Sequence, residues 1–344
     1  MPYGTLAIDS ITPSANALSV TGSVSSVNTF GFKNRFINGG LSVDQRNSGA
    51  AQTITAAAAL AYTVDRWYAY CTGANVTGQQ IAGSYQSSQY RYQFTGAASV
   101  TAIGFGQRIE QLNCYDLANT TATLSCYISN SLLSTVTWTA YYANTANTFG
   151  SLASPTVTQI ATGTFTVTST RAQYSAQISI PSAATTGIQI VFTVGAQTSG
   201  TWVIDTIQLE KGTQATSFDY RDIGRELSLC QRYCYKLIGG PPQTFLSAGC
   251  FGTPANNGFF HGQMPVPMFA VPTLVLEAAA TTYATYNVNS GNYTALSTLT
   301  LNTVTSRSFY LLAFGSSATP GAVGIVTYLT NTTGAFGVIF NAEL

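Results

Sequence analysis

The chain has 344 residues, of which 45 % are apolar and only 7 % charged, and its formal net charge is +1. Soluble proteins ordinarily carry roughly 25 % charged residues, so this surface must be covered by Thr, Ser, Asn, Gly and Gln instead. That balance leaves no basic footprint for nucleic acid or an anionic membrane, no apolar run reaches the roughly 18 residues of a membrane span, and no basic-then-apolar leader opens the sequence. The expectation is a chain made in a cytosol, with no nucleic-acid partner and no membrane insertion, long enough for two domains.

Residues 1–33 are small, polar and weakly alternating. They are either a floppy terminus or an extended arm that orders against a partner. From Asn34 to Tyr220, short alternating runs separated by Gly, Asn, Ser and Thr clusters predict strands over 66–71, 89–94, 101–108, 111–115, 122–128, 135–142, 163–167, 172–180, 188–194 and 201–209. That many short strands suits a two-sheet jelly roll. Within 201–209, a period of two places Val203, Asp205, Ile207 and Leu209 on one face, and Trp202, Ile204, Thr206 and Gln208 on the other. Asp205 is then expected to point inward, where it needs a partner such as Arg66 or backbone.

After Asp222 the spacing changes. Ile223, Leu227, Cys230 and Cys234 lie three or four residues apart, which is helical, and Asp222 stands where an N-cap belongs. A second β series follows over 233–238, 259–265, 273–277, 308–314, 324–329 and 336–340. Pro265, Pro267 and Pro272 mark a strand edge or a crossing between sheets. The expected fold is all-β: an extended arm over 1–33, a jelly-roll sandwich over 34–220, a short helix-like junction over 221–238 and a C-terminal β-sandwich over 239–344. No period of 20–50 residues repeats, which argues against a parallel β-helix.

Chemistry-bearing motifs are scarce. His261 is the one histidine, and a lone histidine in a β domain is expected to be structural. There is no nucleophile elbow, no zinc-binding His-Glu-x-x-His and no phosphate-cradling glycine loop. Of the twelve acids, the densest group is Asp219, Asp222 and Glu226. It stands with Arg221 and Arg225, and ion pairing and helix capping account for it without the carboxylate pair of a glycosidase. The expectation is a protein that is not an enzyme and takes no cofactor.

Cys114 and Cys126 could face each other across a hairpin, and Cys230, Cys234, Cys250 and His261 could hold zinc. The spacing is loose for a zinc site, and buried free thiols are the better account. What remains is surface for sugar. The segment 283–293 combines Tyr283, Tyr286, Asn287, Asn289 and Tyr293, a Tyr-rich, amide-rich composition suited to carbohydrate contacts on a surface loop. The competing account is a solvated hairpin with scattered tyrosines. A second sugar candidate is 85–94, where Tyr90, Tyr92 and Phe94 alternate on one strand face, a pattern that is more often core; Trp67, Trp138 and Trp202 read as packing.

The run QLEKGTQATSFDYRDIGRELSLCQRYCYKL, residues 208–237, resembles the junction of many bacteriophage tail-fibre and receptor-binding proteins, where a jelly-roll domain like a carbohydrate-binding module ends in a similar string. NRFINGGLSVDQRNSG at 34–49, TVDRW at 63–67 and QMPVPMFAVPTLVL at 263–276 fit the same family in the same order. The chain departs at Phe269, where the family often has Arg, and at Cys234, where it usually has Tyr. The resemblance implies a structural virion fibre, assembled in the host cytoplasm as a homotrimer. Its N-terminal arm would face other virion proteins, and its distal domain would touch host cell-surface glycan. It also makes Asp205 a weak calcium candidate, although the partner segment 38–41 lacks an acidic ligand. The alternatives are a capsid-bound decoration or head-fibre protein and a polysaccharide-degrading tailspike.

Overall fold

Alternation of apolar and polar side chains becomes two facing sheets. A computed structural model describes residues 32–57, 59–85, 88–238, 244–249, 257–277, 279, 283–287, 292–315, 326–331 and 337–344. For 238, 244–249, 257–259, 285–287, 292–295, 302–303, 314–315 and 326–331 it describes the backbone alone. The first twelve strands are β1 (Gln52–Ile54), β2 (Ala61–Tyr62), β3 (Trp67–Thr72), β4 (Val76–Tyr85), β5 (Ser88–Thr95), β6 (Ala102–Ile109), β7 (Thr120–Asn130), β8 (Thr135–Ala143), β9 (Val157–Thr166), β10 (Ala172–Ile180), β11 (Ile188–Val194) and β12 (Thr201–Lys211). They form two six-stranded antiparallel sheets, in the orders β1-β4-β5-β12-β7-β10 and β2-β3-β6-β11-β8-β9. The chain crosses repeatedly from one sheet to the other, and the result is a jelly-roll sandwich.

The core between the sheets is aromatic. Trp67 stacks on Phe105 at 4.9 Å between ring centroids, Phe105 on Tyr92 at 5.3 Å, and Phe94 on Trp202 at 5.0 Å. All three tryptophans are buried, as are Tyr92 and Phe94, whereas Tyr90, expected on the same face, is exposed. Large rings are the expected filling where two inner faces stand about 10 Å apart.

Two local expectations fail for identifiable reasons. Residues 111–115 are not a strand: Gln111–Cys114 is a helical turn, α1, followed by the 3-10 turn Tyr115–Leu117. Cys114 and Leu117, three residues apart, are buried, while Leu112 and Tyr115 are exposed, a helical spacing that a short window cannot separate from alternation. In β12 the alternation is broken by a bulge. Asp205 pairs with Tyr127 and Gln208 with Ser125, so Thr206 and Ile207 together oppose one residue of β7. Thr206 takes a positive φ of 51°. Trp202 and Ile204 therefore face the core before the bulge, and Ile207 and Leu209 after it. Val203 and Asp205 turn outward.

The bulge is held by the segment 34–41. Ile207 donates its N–H to Gly39 O at 2.9 Å, and Asn34 bridges Ile207 O (2.9 Å) and the N–H of Leu209 (3.1 Å). A Cβ at Gly39 would run into the Ile207 carbonyl, so only glycine permits this approach.

Beyond β12, Asp222 caps the helix α2 (Ile223–Gln231), its Oδ1 accepting from Gly224 N at 2.7 Å and Arg225 N at 3.3 Å. The helix stops at Gln231, and Cys234 opens a strand instead of extending the helix. The distal strands are β13 (Cys234–Ile238), β14 (Thr244–Gly249), β15 (Asn257–Gln263), β16 (Thr273–Leu276), β17 (Tyr283–Asn287), β18 (Asn292–Val304), β19 (Ser308–Gly315), β20 (Val326–Asn331) and β21 (Gly337–Asn341). They form sheets in the orders β13-β21-β16 and β14-β20-β17-β18-β19-β15. Phe260, Met264, Leu299, Phe309, Leu311 and Phe340 are among the residues that fill their core.

Part of the scarce charge joins the two sets of strands. Glu110, just past β6, accepts from Arg232 Nη2 at 2.8 Å and from the Tyr233 hydroxyl at 2.6 Å. Burial pushes its carboxyl up, but the bonds from Arg232 and Tyr233 outweigh this and hold it below its ordinary value. Arg66 lies 3.5 Å over the Tyr233 ring and pairs with Glu343, which Arg46 also reaches at 3.2 Å. Arg66 is thus committed across the joint, not to Asp205.

Candidate functional site

Strand β3 has aromatic rings on both faces. Trp67, Ala69 and Cys71 point into the core, so Tyr68 and Tyr70 point out of the sandwich. Their partners in register on β6 are Gly106 and Gly104. A Cβ at Gly104 would overlap the Tyr70 ring, and one at Gly106 would stand 2.6 Å from the Tyr68 hydroxyl. The glycines let both rings lie down across the neighbouring strand, where any other residue would prop them up. Beside them, Arg108, Gln189 and Tyr141 form one cross-strand row over β6, β11 and β8.

Together these residues floor a groove of about 250 Å³ whose side wall is Phe149, Ser151, Leu152 and Pro155. Tyr68 is buried, while Tyr70, Tyr141 and Gln189 are half-buried and Leu152 is exposed. Arg108 holds the parts together: Nε donates to Gln189 Oε1 at 3.2 Å, Nη2 to Gly150 O at 2.8 Å and Nη1 to Leu344 O at 2.7 Å. Burial raises the pKa of Tyr68 and Tyr70, so both hydroxyls stay neutral and can donate as well as accept. No Asp or Glu lines the groove. With Tyr68 buried beneath, it offers the half-buried Tyr70 and Tyr141 and an oriented amide, with its one cation already committed to oxygen acceptors.

The residues singled out in the sequence lie elsewhere. Tyr283 is wholly buried in the distal core and donates its hydroxyl to Gly337 O at 2.8 Å, so it cannot serve as an exposed stacking ring. The segment around it is strand: Tyr286 pairs with Tyr293 and Asn287 with Asn292 between β17 and β18. The side chains of Tyr286, Asn287 and Tyr293, and all of Asn289, lie outside the described residues, as do Cys250 and residues 1–31. His261 is exposed on β15, its ring 5.7 Å from that of Tyr310 opposite it.

Cys114 closes α1 while Cys126 sits within β7 opposite Tyr174, so the two do not face each other across a hairpin. Both are free buried thiols, like Cys71, Cys230 and Cys234. Burial pushes Cys114 up to about 12. No three His, Cys, Asp or Glu among the described residues form a metal-binding group.

Asp205 does not fit calcium. Its two oxygens are taken by Arg171, from Nε at 2.9 Å and Nη2 at 2.5 Å, a fork geometry that satisfies the carboxylate without a metal. Of the acidic group at the junction, Asp222 caps α2, Glu226 pairs with Arg221 at 3.2 Å, and Asp219 accepts from the backbone of Lys33 and Asn34.

The tyrosine groove had a signal in the sequence. In Trp67-Tyr-Ala-Tyr-Cys71 the aromatic residues occupy both parities, and Gly104-Phe-Gly106 places glycine on the outward parity of a core strand. Only the pairing of the two strands makes that pattern a floor.

No protein-family model matches the chain, and no curated protein matches it. Among solved structures, the chain is similar to the enzymatically active domain of tailspike protein 4 of bacteriophage CBA120, at 16 % identity over 52 % of this chain and 21 % of that one, with a TM-score of 0.33. It is also similar to a CBM4 structure, at 17 % identity over 51 % of this chain and 98 % of that one, with a TM-score of 0.33. A family 11 carbohydrate-binding module from Clostridium thermocellum, in complex with a mixed-linked tetrasaccharide, is similar at 13 % identity over 46 % of this chain and 97 % of that one, with a TM-score of 0.30. The chain spans about a fifth of the tailspike domain's length.

Proposed function

We infer that this chain is a glycan-binding virion fibre protein of a bacteriophage, which attaches the particle to host surface saccharide through the tyrosine groove. The observation that carries the binding reading is the groove itself: neutral tyrosines laid flat on glycines, an amide fixed by Arg108, and no acid in the lining. Saccharides present apolar ring faces edged by hydroxyls, and such a floor matches both. The missing carboxylates favour adhesion over hydrolysis, which needs an acid and a base or nucleophile about 5–10 Å apart. The virion role and the homotrimer rest on the resemblance of the 34–49 and 208–237 segments to phage fibre junctions. Three copies would multiply weak contacts to a repetitive surface.

The test is binding of the purified full chain to candidate host cells and their extracted surface polysaccharide, alongside Tyr70→Ala and Tyr141→Ala variants. The reading expects binding by the parent chain, at least a tenfold loss in each variant, and no release of reducing sugar. Binding unaffected by both substitutions would remove the groove from the function. Reducing sugar that accumulates with time would replace adhesion by hydrolysis.

A further inference from the structure

The opposite face of the sandwich carries a second set of outward tyrosines. Ser125 and Tyr127 project from β7, Gln173 from β10, and the β12 bulge brings Thr206 beside them. The linker after β12 crosses over this face, and Phe218 and Tyr220 meet edge to face at 4.9 Å between centroids. A hollow of about 390 Å³ lies on one side of that pair, lined by Ser125, Tyr127, Gln173 and Ser217. On the other side lies a hollow of about 300 Å³, lined by Ser88, Tyr90 and Arg221. Thr206, Phe218 and Tyr220 line both.

The divider is pinned in place. Asp219, between its two rings, donates its N–H to Gln208 Oε1 at 2.8 Å and accepts from Lys33 N at 3.1 Å and Asn34 N at 3.2 Å. Tyr220 is nevertheless 62 % exposed. Next to the larger hollow, Arg171 is sandwiched between Tyr127 and Tyr85, 3.8 Å and 4.3 Å from their centroids, while its donors hold Asp205. That ion pair is internally neutral, and the larger hollow beside it is lined by hydroxyls, an amide, Ala215 and rings. The smaller hollow also holds Asp219, Arg221 and Glu226, where Arg221 pairs with Glu226 at 3.2 Å and stands 3.9 Å from Asp219.

We propose that this divided cleft is a second saccharide site, taking a neutral sugar against Tyr220 and Tyr127 with Gln173 and Ser217 hydrogen-bonding its hydroxyls. A rigid aromatic standing between two polar hollows suits a chain of pyranoses that crosses it, one residue on either side. A flat protein surface would leave the hollows unfilled, which disfavours a protein partner. The proposal does not depend on the tyrosine groove of the other sheet. If both bind, a single chain presents two sites facing opposite ways, which separate polysaccharide strands can occupy, and avidity for one surface still needs further copies.

The experiment is saturation-transfer NMR and calorimetry on the full chain with cellohexaose, xylohexaose and β-1,4-galactotriose as probes. The variants are Tyr141→Ala to weaken the first groove, and Tyr220→Ala and Gln173→Ala placed on that background. The expected result is that the Tyr141→Ala protein still binds at least one probe, and that either added substitution lowers the remaining affinity at least tenfold with melting unchanged. Loss of all binding in Tyr141→Ala alone would overturn this second site while leaving the proposed function standing. Binding that ignores Tyr141→Ala but disappears with Tyr220→Ala would do the reverse. No binding of any probe, or a Tyr220→Ala effect confined to self-association in sedimentation, also overturns the proposal, the latter by making the face a subunit contact.

Discussion

Arg108 in the floor of the tyrosine groove donates to the carbonyl of Leu344 across 2.7 Å, so the groove and the distal strands share one side chain. The same guanidinium fixes the groove's amide at Gln189 and its wall at Gly150. Geometry of the binding surface and seating of the distal domain are therefore coupled through a single buried cation.

Replacing Arg108 with Met should keep most of its packing and remove all three hydrogen bonds. The three acceptors are half-buried, so each lost bond should cost about 0.5–1.5 kcal/mol. The expected outcome is a lower unfolding temperature, separation of one calorimetric transition into two, and weaker glycan binding. A single unshifted transition would show that the joint does not need Arg108.

Gly104→Val should damage the groove with little change in the core, because the new side chain would stand where the Tyr70 ring lies. Gly104 is on the outward face of β6, so the inner packing of Ile103 and Phe105 is untouched. Binding should fall by at least tenfold, as in Tyr70→Ala, while circular dichroism keeps the parent's β signature.

Asp205 and Arg171 should behave as a buried pair. Removing one partner from such a pair typically costs about 3–5 kcal/mol, because it strands the other charge. Asp205→Ala should therefore destabilise strongly, and Asp205→Ala with Arg171→Leu less than either single change would suggest. Neither EDTA nor added calcium should move the melting temperature of the parent chain. A clear upward shift with calcium would mean the metal displaces Arg171.

Asp65 makes the joint sensitive to pH. It is fully buried, and burial raises its pKa from 3.8 to about 7, against opposing effects of its Gln45 hydrogen bond and Arg46, with Glu343 and Asp44 pushing it up further. The folded state thus holds a proton that the unfolded chain releases near pH 4. Stability from this group is complete below the unfolded value and is lost as pH rises through about 7. Asp65→Asn should flatten the melting profile between pH 5 and 8, and the difference from the parent should be largest at the alkaline end. Parallel profiles for the two proteins would show that Asp65 does not titrate in this window.

Legibility followed the range of the interactions. The strands at 172–180 and 188–194 were readable to the residue: the first alternates without interruption, and the second, although Val191 is buried beside Ile190 and Phe192, is a short β-branched run bounded by turn residues. The Asp222 cap was readable because a cap and its N–H partners lie within three residues. In β12 the same rule misplaced Asp205. A bulge inserts one residue and inverts the parity of everything after it, and the partner that stabilises it, Gly39, is far away in sequence.

The candidate site was harder still. Tyr-rich composition pointed to 283–293, but whether a tyrosine is core or surface depends on what lies opposite, and Tyr283 proved to be core. Composition and periodicity by themselves determined that the chain is all-β, sparsely charged and poor in the motifs of known catalytic sites, because those properties are sums over local residues. The tertiary structure alone decided that Tyr68 and Tyr70 meet Gly106 and Gly104, and that Arg108 reaches Leu344. It also decided that Arg171, and not a metal, answers Asp205. Each of these depends on strand register and sheet packing, which no local window of the sequence contains.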